Sequence, residues 1–307
     1  MRQDVEFLSD GTKVRGMFLT PDSGVGPFPT VVMAGGWCYV KELVQPSYAE
    51  VINRAGIAAL IIDYRRLGES EGEPRQHINP WDQIEDYRNA ISHAETMDQV
   101  DENRIGVWGI SYSGGHVLIV GATDPRVKTV VSNIPVVSGW DNMKRVHGSL
   151  NFRRLQELIA ADRTARFEGR PSEYIPMSSM TPNDEQTTWP FPEVYEVFMQ
   201  LKETEAPNHE HRNTIHSVEL LQSYSVFPFL ERILDTPTMM IVAEGDDITS
   251  WDREIQAYNE IRTSIKELVI LPHTSHMTLY SNKSRLQILA EEARGFLVEQ
   301  LVTPHAS

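Results

Sequence analysis

The sequence predicts an α/β fold: a mostly parallel, doubly wound sheet that carries a helical cap insertion. Three observations predict it. Short, continuous apolar runs at residues 30–34, 56–62, 105–108 and 127–132 have the length and β-branched content of strands buried on both faces. Segments with apolar residues at helical spacing alternate with these runs, which is the order of βαβ units. Between about Gly139 and Tyr224 the alternation stops, and helical segments with proline-punctuated loops replace it until strands resume near residue 238.

Taken in order, residues 5–19 alternate polar and apolar around Asp10-Gly11, a turn dipeptide, and read as an opening hairpin. The run at 30–34 is the first buried strand, residues 48–55 a helix and 56–62 the next strand. Helix 81–97, strand 105–108 and strand 127–132 follow. Residues 151–167 and 192–203 read as helices, separated by a polar, proline-rich loop at 171–192. Strands at 238–243 and 267–271 and an amphipathic helix at 284–301 complete the chain. Residues 1–138 and 225–307 therefore form the expected core. Residues 139–224 are expected to cap the carboxyl edge of the sheet, where open α/β sheets bind ligands. The aromatic and methionine side chains of the cap should mostly pack it, with some lining a substrate pocket.

Charge narrows the function classes. In this 307-residue chain, 28 basic against 43 acidic residues give a formal charge of −15, which opposes binding to nucleic acid or to an anionic membrane surface. A small uncharged or cationic substrate suits it better, and homo-oligomerisation is left open. One cysteine, Cys38, excludes an internal disulfide and suits a reducing compartment. The first residues run straight into a strand pattern without an apolar signal core, and no span is long enough to cross a bilayer. A cytoplasmic location is the expectation.

The chemistry-bearing segment is residues 104–120, where an apolar run stops at Gly109-Ile110-Ser111-Tyr112-Ser113-Gly114-Gly115 and then resumes. This reads as strand, sharp turn, helix. A serine at such a turn is strained, with its hydroxyl above the sheet edge, and needs small residues two before and two after it. Gly109 and Ser113 meet that need for Ser111. Ser113 is a weaker rival, flanked in turn by Ser111 and Gly115. A literal Gly-x-Ser-x-Gly stands elsewhere, at Gly68-Glu69-Ser70-Glu71-Gly72. Context rejects it: the preceding strand ends several residues early, two glutamates would oppose an alkoxide, and Pro74 and Pro80 forbid an immediate apolar helix.

A serine hydroxyl needs a base, and the base needs a partner that fixes its tautomer. Candidates follow the last two strands: Glu244-Gly245-Asp246-Asp247 after residues 238–243, and His273 and His276 after residues 267–271. Serine, acid, histidine is the chain order of α/β-hydrolases.

The segment Asp63-Tyr64-Arg65-Arg66-Leu67-Gly68 resembles the stretch after the fourth strand of that superfamily. The Ser111 segment resembles its dienelactone-hydrolase-like and Xaa-Pro-dipeptidyl-peptidase-like branches. Dienelactone hydrolases proper carry a cysteine nucleophile where this chain has serine. The resemblance implies an α/β-hydrolase fold, with Asp246 as the acid and Asp247 as the alternative. It implies His276, which leads Met277-Thr278-Leu279-Tyr280, as the base, with His273 as the alternative. It also implies an oxyanion hole formed by the backbone N–H groups of Tyr112 and Trp37, the latter in the loop Ala34-Gly35-Gly36-Trp37-Cys38-Tyr39. Cys38 has no base motif beside it and reads as a packed thiol.

The expected activity is cofactor-independent serine hydrolysis of a carboxylic ester, lactone or thioester of a small apolar molecule, an esterase-like or thioesterase-like reaction. Carbon–carbon hydrolysis of a diketone, peptide cleavage and acyl transfer use the same triad and stay open. A binding protein that has lost the triad is the alternative from another class, and the presence of all three members in order argues against it. No metal is expected. His209, His211 and His216 have spacings more typical of a solvated loop than of a metal site.

Overall fold

The computed structural model describes residues 1–303. Its centre is an eight-stranded sheet built from β1 (Arg2–Ser9), β2 (Thr12–Leu19), β3 (Phe28–Ala34), β4 (Ala58–Ile62), β5 (Val100–Ile110), β6 (Val127–Asn133), β9 (Thr238–Ala243) and β10 (Lys266–Leu271). The strand order is β1-β2-β4-β3-β5-β6-β9-β10. β2 runs antiparallel to both neighbours and the remaining pairs are parallel. The expected fold class is observed, including the opening hairpin, whose two-residue turn places Asp10 and Gly11 at positive φ.

Helices cover both faces, as strands buried in both directions require. α1 (Gln45–Asn53) packs on the C-terminal α10 (Lys283–Leu301), and α2 (Pro80–Glu95) packs on α3 (Tyr112–Thr123). β3, β4, β6 and the second half of β5 are accordingly buried almost throughout, whereas β10, at the sheet edge, leaves Glu267 and Ile270 exposed. The chain leaves β3 toward β4 on one side and leaves β5 toward β6 on the other. Their carboxyl ends therefore flank a crevice at the point where the strand order reverses, the place at which open sheets bind ligands.

Between β6 and β9 lie α4 (Gly139–Phe167), β7 (Tyr174–Pro176), α5 (Pro192–Thr204), β8 (Arg212–Thr214), α6 (Ile215–Gln222) and α7 (Phe227–Leu230). The sequence reading differs here in two ways. α4 is two helical segments joined at a kink, where Gly148 has φ 61° and ψ 176°: the second contains the helix expected at 151–167, and the first, capped by Ser138, was not expected. The stretch expected to lack strands also contains the antiparallel ribbon β7–β8. Three residues per strand are too few to show a period of two. α8 (Trp251–Glu260) and α9 (Thr278–Ser281) follow β9 and β10. Among the described residues no helix is long and apolar enough to cross a membrane.

Candidate active site

β5 ends at Ile110 and α3 begins at Tyr112, so one residue makes the whole turn. That residue, Ser111, has φ 59° and ψ −117°, a conformation that costs a non-glycine residue on the order of 1–3 kcal/mol. The surroundings enforce it. Ser111 N–H donates to the Asn133 carbonyl at 2.9 Å, and the Ser111 carbonyl accepts from Val136 N–H at 3.0 Å. A Cβ on Gly109 would lie 2.2 Å from the Ser113 carbonyl oxygen, so glycine is obligatory there. Ser113 is committed to the turn: its hydroxyl accepts from Ile110 N–H at 2.8 Å and donates to the Ala34 carbonyl at 2.7 Å.

The acid and the histidine meet beyond β9 and β10. His276 Nδ1 and Asp246 Oδ2 are 2.7 Å apart, both side chains being buried. Asp246 is held by three further donors: Ile248 N–H at 2.9 Å and Thr249 N–H at 2.8 Å on Oδ1, and the Thr249 hydroxyl at 2.7 Å on Oδ2. With Nδ1–H committed to a carboxylate, Nε2 is the acceptor nitrogen of the imidazole, and the Tyr280 hydroxyl lies 3.4 Å from it. A backbone bond from Gly245 N–H to the Thr274 carbonyl, 3.0 Å, ties the two loops together. The alternatives face elsewhere: Asp247 and His273 are exposed.

The loop after β3 presses on Ser111. A Cβ on Gly36 would lie 3.0 Å from Ser111 Cβ and 3.4 Å from its Oγ, so only glycine lets this backbone come so close. Trp37 follows, its indole N–H donating to Asn213 Oδ1 at 2.9 Å and its ring tilted against Tyr112 at 5.1 Å. Asn213 belongs to β8 and also accepts from the Thr188 hydroxyl at 2.8 Å. The insertion thereby holds this loop in place. Tyr112 N–H opens the first turn of α3, where the helix dipole favours negative charge.

Ser111 and His276 line one small cavity. Its walls are Trp37 and Tyr39 from the loop after β3, Met177, Trp189, Val194 and Phe198 from the insertion, and Ile248, Met277 and Tyr280 from the C-terminal loops. No carboxylate, lysine or arginine is among them. The free space is about 20 Å³, room for one water-sized molecule. A larger groove of about 830 Å³ lies beside Met1, Leu19 and Glu50, and it contains none of these groups.

The other singled-out residues have structural partners. Ser70 is buried, donates to the Asp63 carbonyl at 2.7 Å and accepts from Arg15 N–H at 2.8 Å. Cys38 is buried, and burial pushes its thiol well above the usual range. His209 bridges from the Cys38 carbonyl (Nδ1, 3.0 Å) to His211 (3.1 Å), which meets the Ser178 hydroxyl at 2.7 Å. Burial holds His209 down to about 3 and His211 to about 4, so the chain is neutral. His216 instead packs on His77 at 5.0 Å. Among the described residues no group of three or more His, Cys, Asp or Glu could hold a metal ion.

Sequence reasoning missed Thr249, Asn213 and Tyr280. Thr249, three residues after Asp246, carries the Asx-turn signature that could have found it. Tyr280 comes one helical turn after His276, with its hydroxyl 3.4 Å from Nε2. Asn213 has no local signal, since its partner Trp37 is far away in sequence.

The profile of the X-Pro dipeptidyl-peptidase (S15) family matches residues 10–278. The thiohydrolase aneE of Aspergillus aculeatus is 29% identical over 295 residues, 94% of this chain and 88% of that protein. The acyltransferase drtE of Aspergillus calidoustus is 30% identical over 239 residues, 76% of this chain and 75% of that one. The solved structure of DcsB in complex with its substrate analogue is similar with a TM-score of 0.84 at 25% identity, covering 99% of this chain and 100% of the other. With its mostly parallel sheet and its match over most of the length, the chain belongs to the X-Pro dipeptidyl-peptidase (S15) family of the α/β-hydrolase fold.

Proposed function

We propose that the protein is a serine hydrolase acting on a carboxylic ester, lactone or thioester of a small, neutral, largely apolar acyl group. The observation that carries this reading is the 2.7 Å bond between His276 Nδ1 and Asp246, on a histidine that shares one apolar cavity with the strained Ser111. Ser111 Oγ attacks the acyl carbon while His276 Nε2 takes its proton, and the imidazolium that forms is stabilised by Asp246. Tyr112 and Trp37 N–H groups serve the oxyanion, one from the helix end and one from the loop that Gly36 brings against Ser111. Nε2 then protonates the leaving group, and water resolves the acyl-enzyme with His276 as base. The scheme uses the protein's own side chains and backbone N–H groups together with water, and residues 139–224 act as its cap.

Charge decides between substrates of the same triad. A peptide with a free amino end would bring an ammonium group into a cavity without a carboxylate to pair it, at a cost of several kcal/mol. Neutral esters and thioesters carry no such penalty, and a thiohydrolase and an acyltransferase among the relatives agree with acyl chemistry.

A panel tests this: medium-chain p-nitrophenyl esters, the matching N-acetylcysteamine thioesters and Xaa-Pro peptide amides. The neutral acyl compounds should be turned over and the peptides left intact. Preference for the peptides would contradict the reading.

A further inference from the structure

The cavity is apolar apart from a few groups, and three hydroxyl-bearing side chains line it: Ser111, Tyr39 and Tyr280. Tyr280 is the one placed on the base. Its hydroxyl is 3.4 Å from His276 Nε2, and its ring lies nearly parallel to the imidazole, 23° between planes with centroids 5.5 Å apart. It is buried, and its backbone N–H is fixed to the Met277 carbonyl at 3.1 Å. Tyr39 and Phe198 close on its ring from the other sides at 5.7 and 5.9 Å. The residue is therefore held in place by packing, with a hydroxyl at the nitrogen through which every proton of the reaction must pass. Burial pushes this phenol well above its ordinary value, so it remains an O–H group.

Acylation does not need such a group, because Ser111 supplies the proton to Nε2. Deacylation does, because a second molecule must present its oxygen to Nε2 and to the acyl carbon together. Two polar atoms 3.4 Å apart are close enough for one oxygen to contact both. Resting on the serine-hydrolase reading above, we propose that Tyr280 positions the acyl acceptor, holding a water that touches both its hydroxyl and His276 Nε2, and so sets the balance between hydrolysis and acyl transfer.

In that step the water oxygen bonds to the acyl carbon and its proton passes to Nε2. The bond from the acyl carbon to Ser111 Oγ then breaks, Nε2 returns the proton to Oγ, and the free acid leaves. Water has two hydrogens, one for Nε2 and one to donate to the Tyr280 oxygen. An alcohol or thiol has one, and its substituent meets the Tyr280 ring. The hydroxyl thus favours water over bulkier acceptors, and its removal should penalise hydrolysis more than transfer.

Intact-protein mass spectrometry after rapid mixing with a p-nitrophenyl ester follows both formation and decay of acyl-Ser111. In Tyr280→Phe, which keeps the ring, decay should slow by about tenfold or more while formation stays within about threefold, the effect of one lost hydrogen bond confined to one step. With N-acetylcysteamine added, the ratio of thioester to free acid should rise in the variant, a readout independent of the fraction of folded enzyme. Equal slowing of both steps, or unchanged decay with an unchanged product ratio, would overturn the role of Tyr280. Absence of any acyl adduct on Ser111 in the unaltered protein would overturn the serine-hydrolase reading beneath it as well.

Discussion

Two serines in this chain sit among glycines, and the structure treats them in opposite ways. Ser111 stands at a one-residue turn with positive φ, in a cavity that also receives His276. Ser70, in the literal Gly-x-Ser-x-Gly, is a packing residue whose hydroxyl joins the Asp63 carbonyl to the Arg15 N–H. Its loop is held by ions: the Asp63 carboxylate accepts from Lys41 N–H at 2.6 Å, Lys41 Nζ at 3.1 Å and Glu69 N–H at 2.9 Å. Around Ser111 the fastenings are neutral instead, through Asn213, Thr188 and the His209–His211–Ser178 chain. The difference teaches that the glycines of a serine motif mean different things in different backbones. At Gly109 and Gly36 they let main chain approach a strained residue, whereas at Gly68 the missing Cβ makes room for the Asp63 carboxylate, 2.4 Å from where it would lie.

The largest effect should come from Ser111→Ala, which is expected to lower turnover of a neutral ester by on the order of 10⁴–10⁶-fold, measured in steady state. Retained activity would break the comparison at once. Ser70→Ala should do the reverse, leaving turnover unchanged while costing about 1 kcal/mol in urea unfolding, because the half-buried Arg15 N–H loses its acceptor. A loss of turnover matching that of Ser111→Ala would show that the two serines had been assigned the wrong way round.

A smaller effect separates the neutral fastenings from the ionic ones. Burial keeps His209 down to about 3 and His211 to about 4, and holds at about 3 the His116 of α3, which lies between the Tyr224 hydroxyl (3.0 Å) and Gln83 Oε1 (2.9 Å), against an ordinary value of 6.5. All three are neutral when folded but take up protons on unfolding below 6.5. Their contribution is therefore fully present above 6.5 and lost as pH falls toward 4. Burial raises Asp63 to about 6, which acts in the opposite direction over much of that window. Comparing the chain with His211→Gln isolates the histidine effect, and the variant should show a shallower fall in melting temperature between these pH values. Equal slopes would mean that His211 is not held neutral.

Much of this was legible in the sequence, for identifiable reasons. The buried strands and the elbow at Ser111 are local patterns, in which glycine, apolar run and turn fall within a dozen residues. Asp246 and His276 were legible through the chain order of the triad and a family resemblance, and the structure joins them rather than Asp247 or His273. What escaped depends mostly on contacts between distant segments, Asn213 reaching Trp37 and the β7–β8 ribbon, together with the helical segment from Gly139 to the kink at Gly148. Tyr280 was visible as a residue of the histidine loop, but its hydroxyl gains meaning only once the imidazole beside it has an orientation.

The central claim is that Ser111, and not Ser70, is the nucleophile. A fluorophosphonate that phosphonylates activated serines, followed by proteolysis and mass mapping of the adduct, tests it most directly. The account predicts one adduct, on Ser111, that disappears in Ser111→Ala and persists in Ser70→Ala. An adduct on Ser70, or none on either serine, would contradict it.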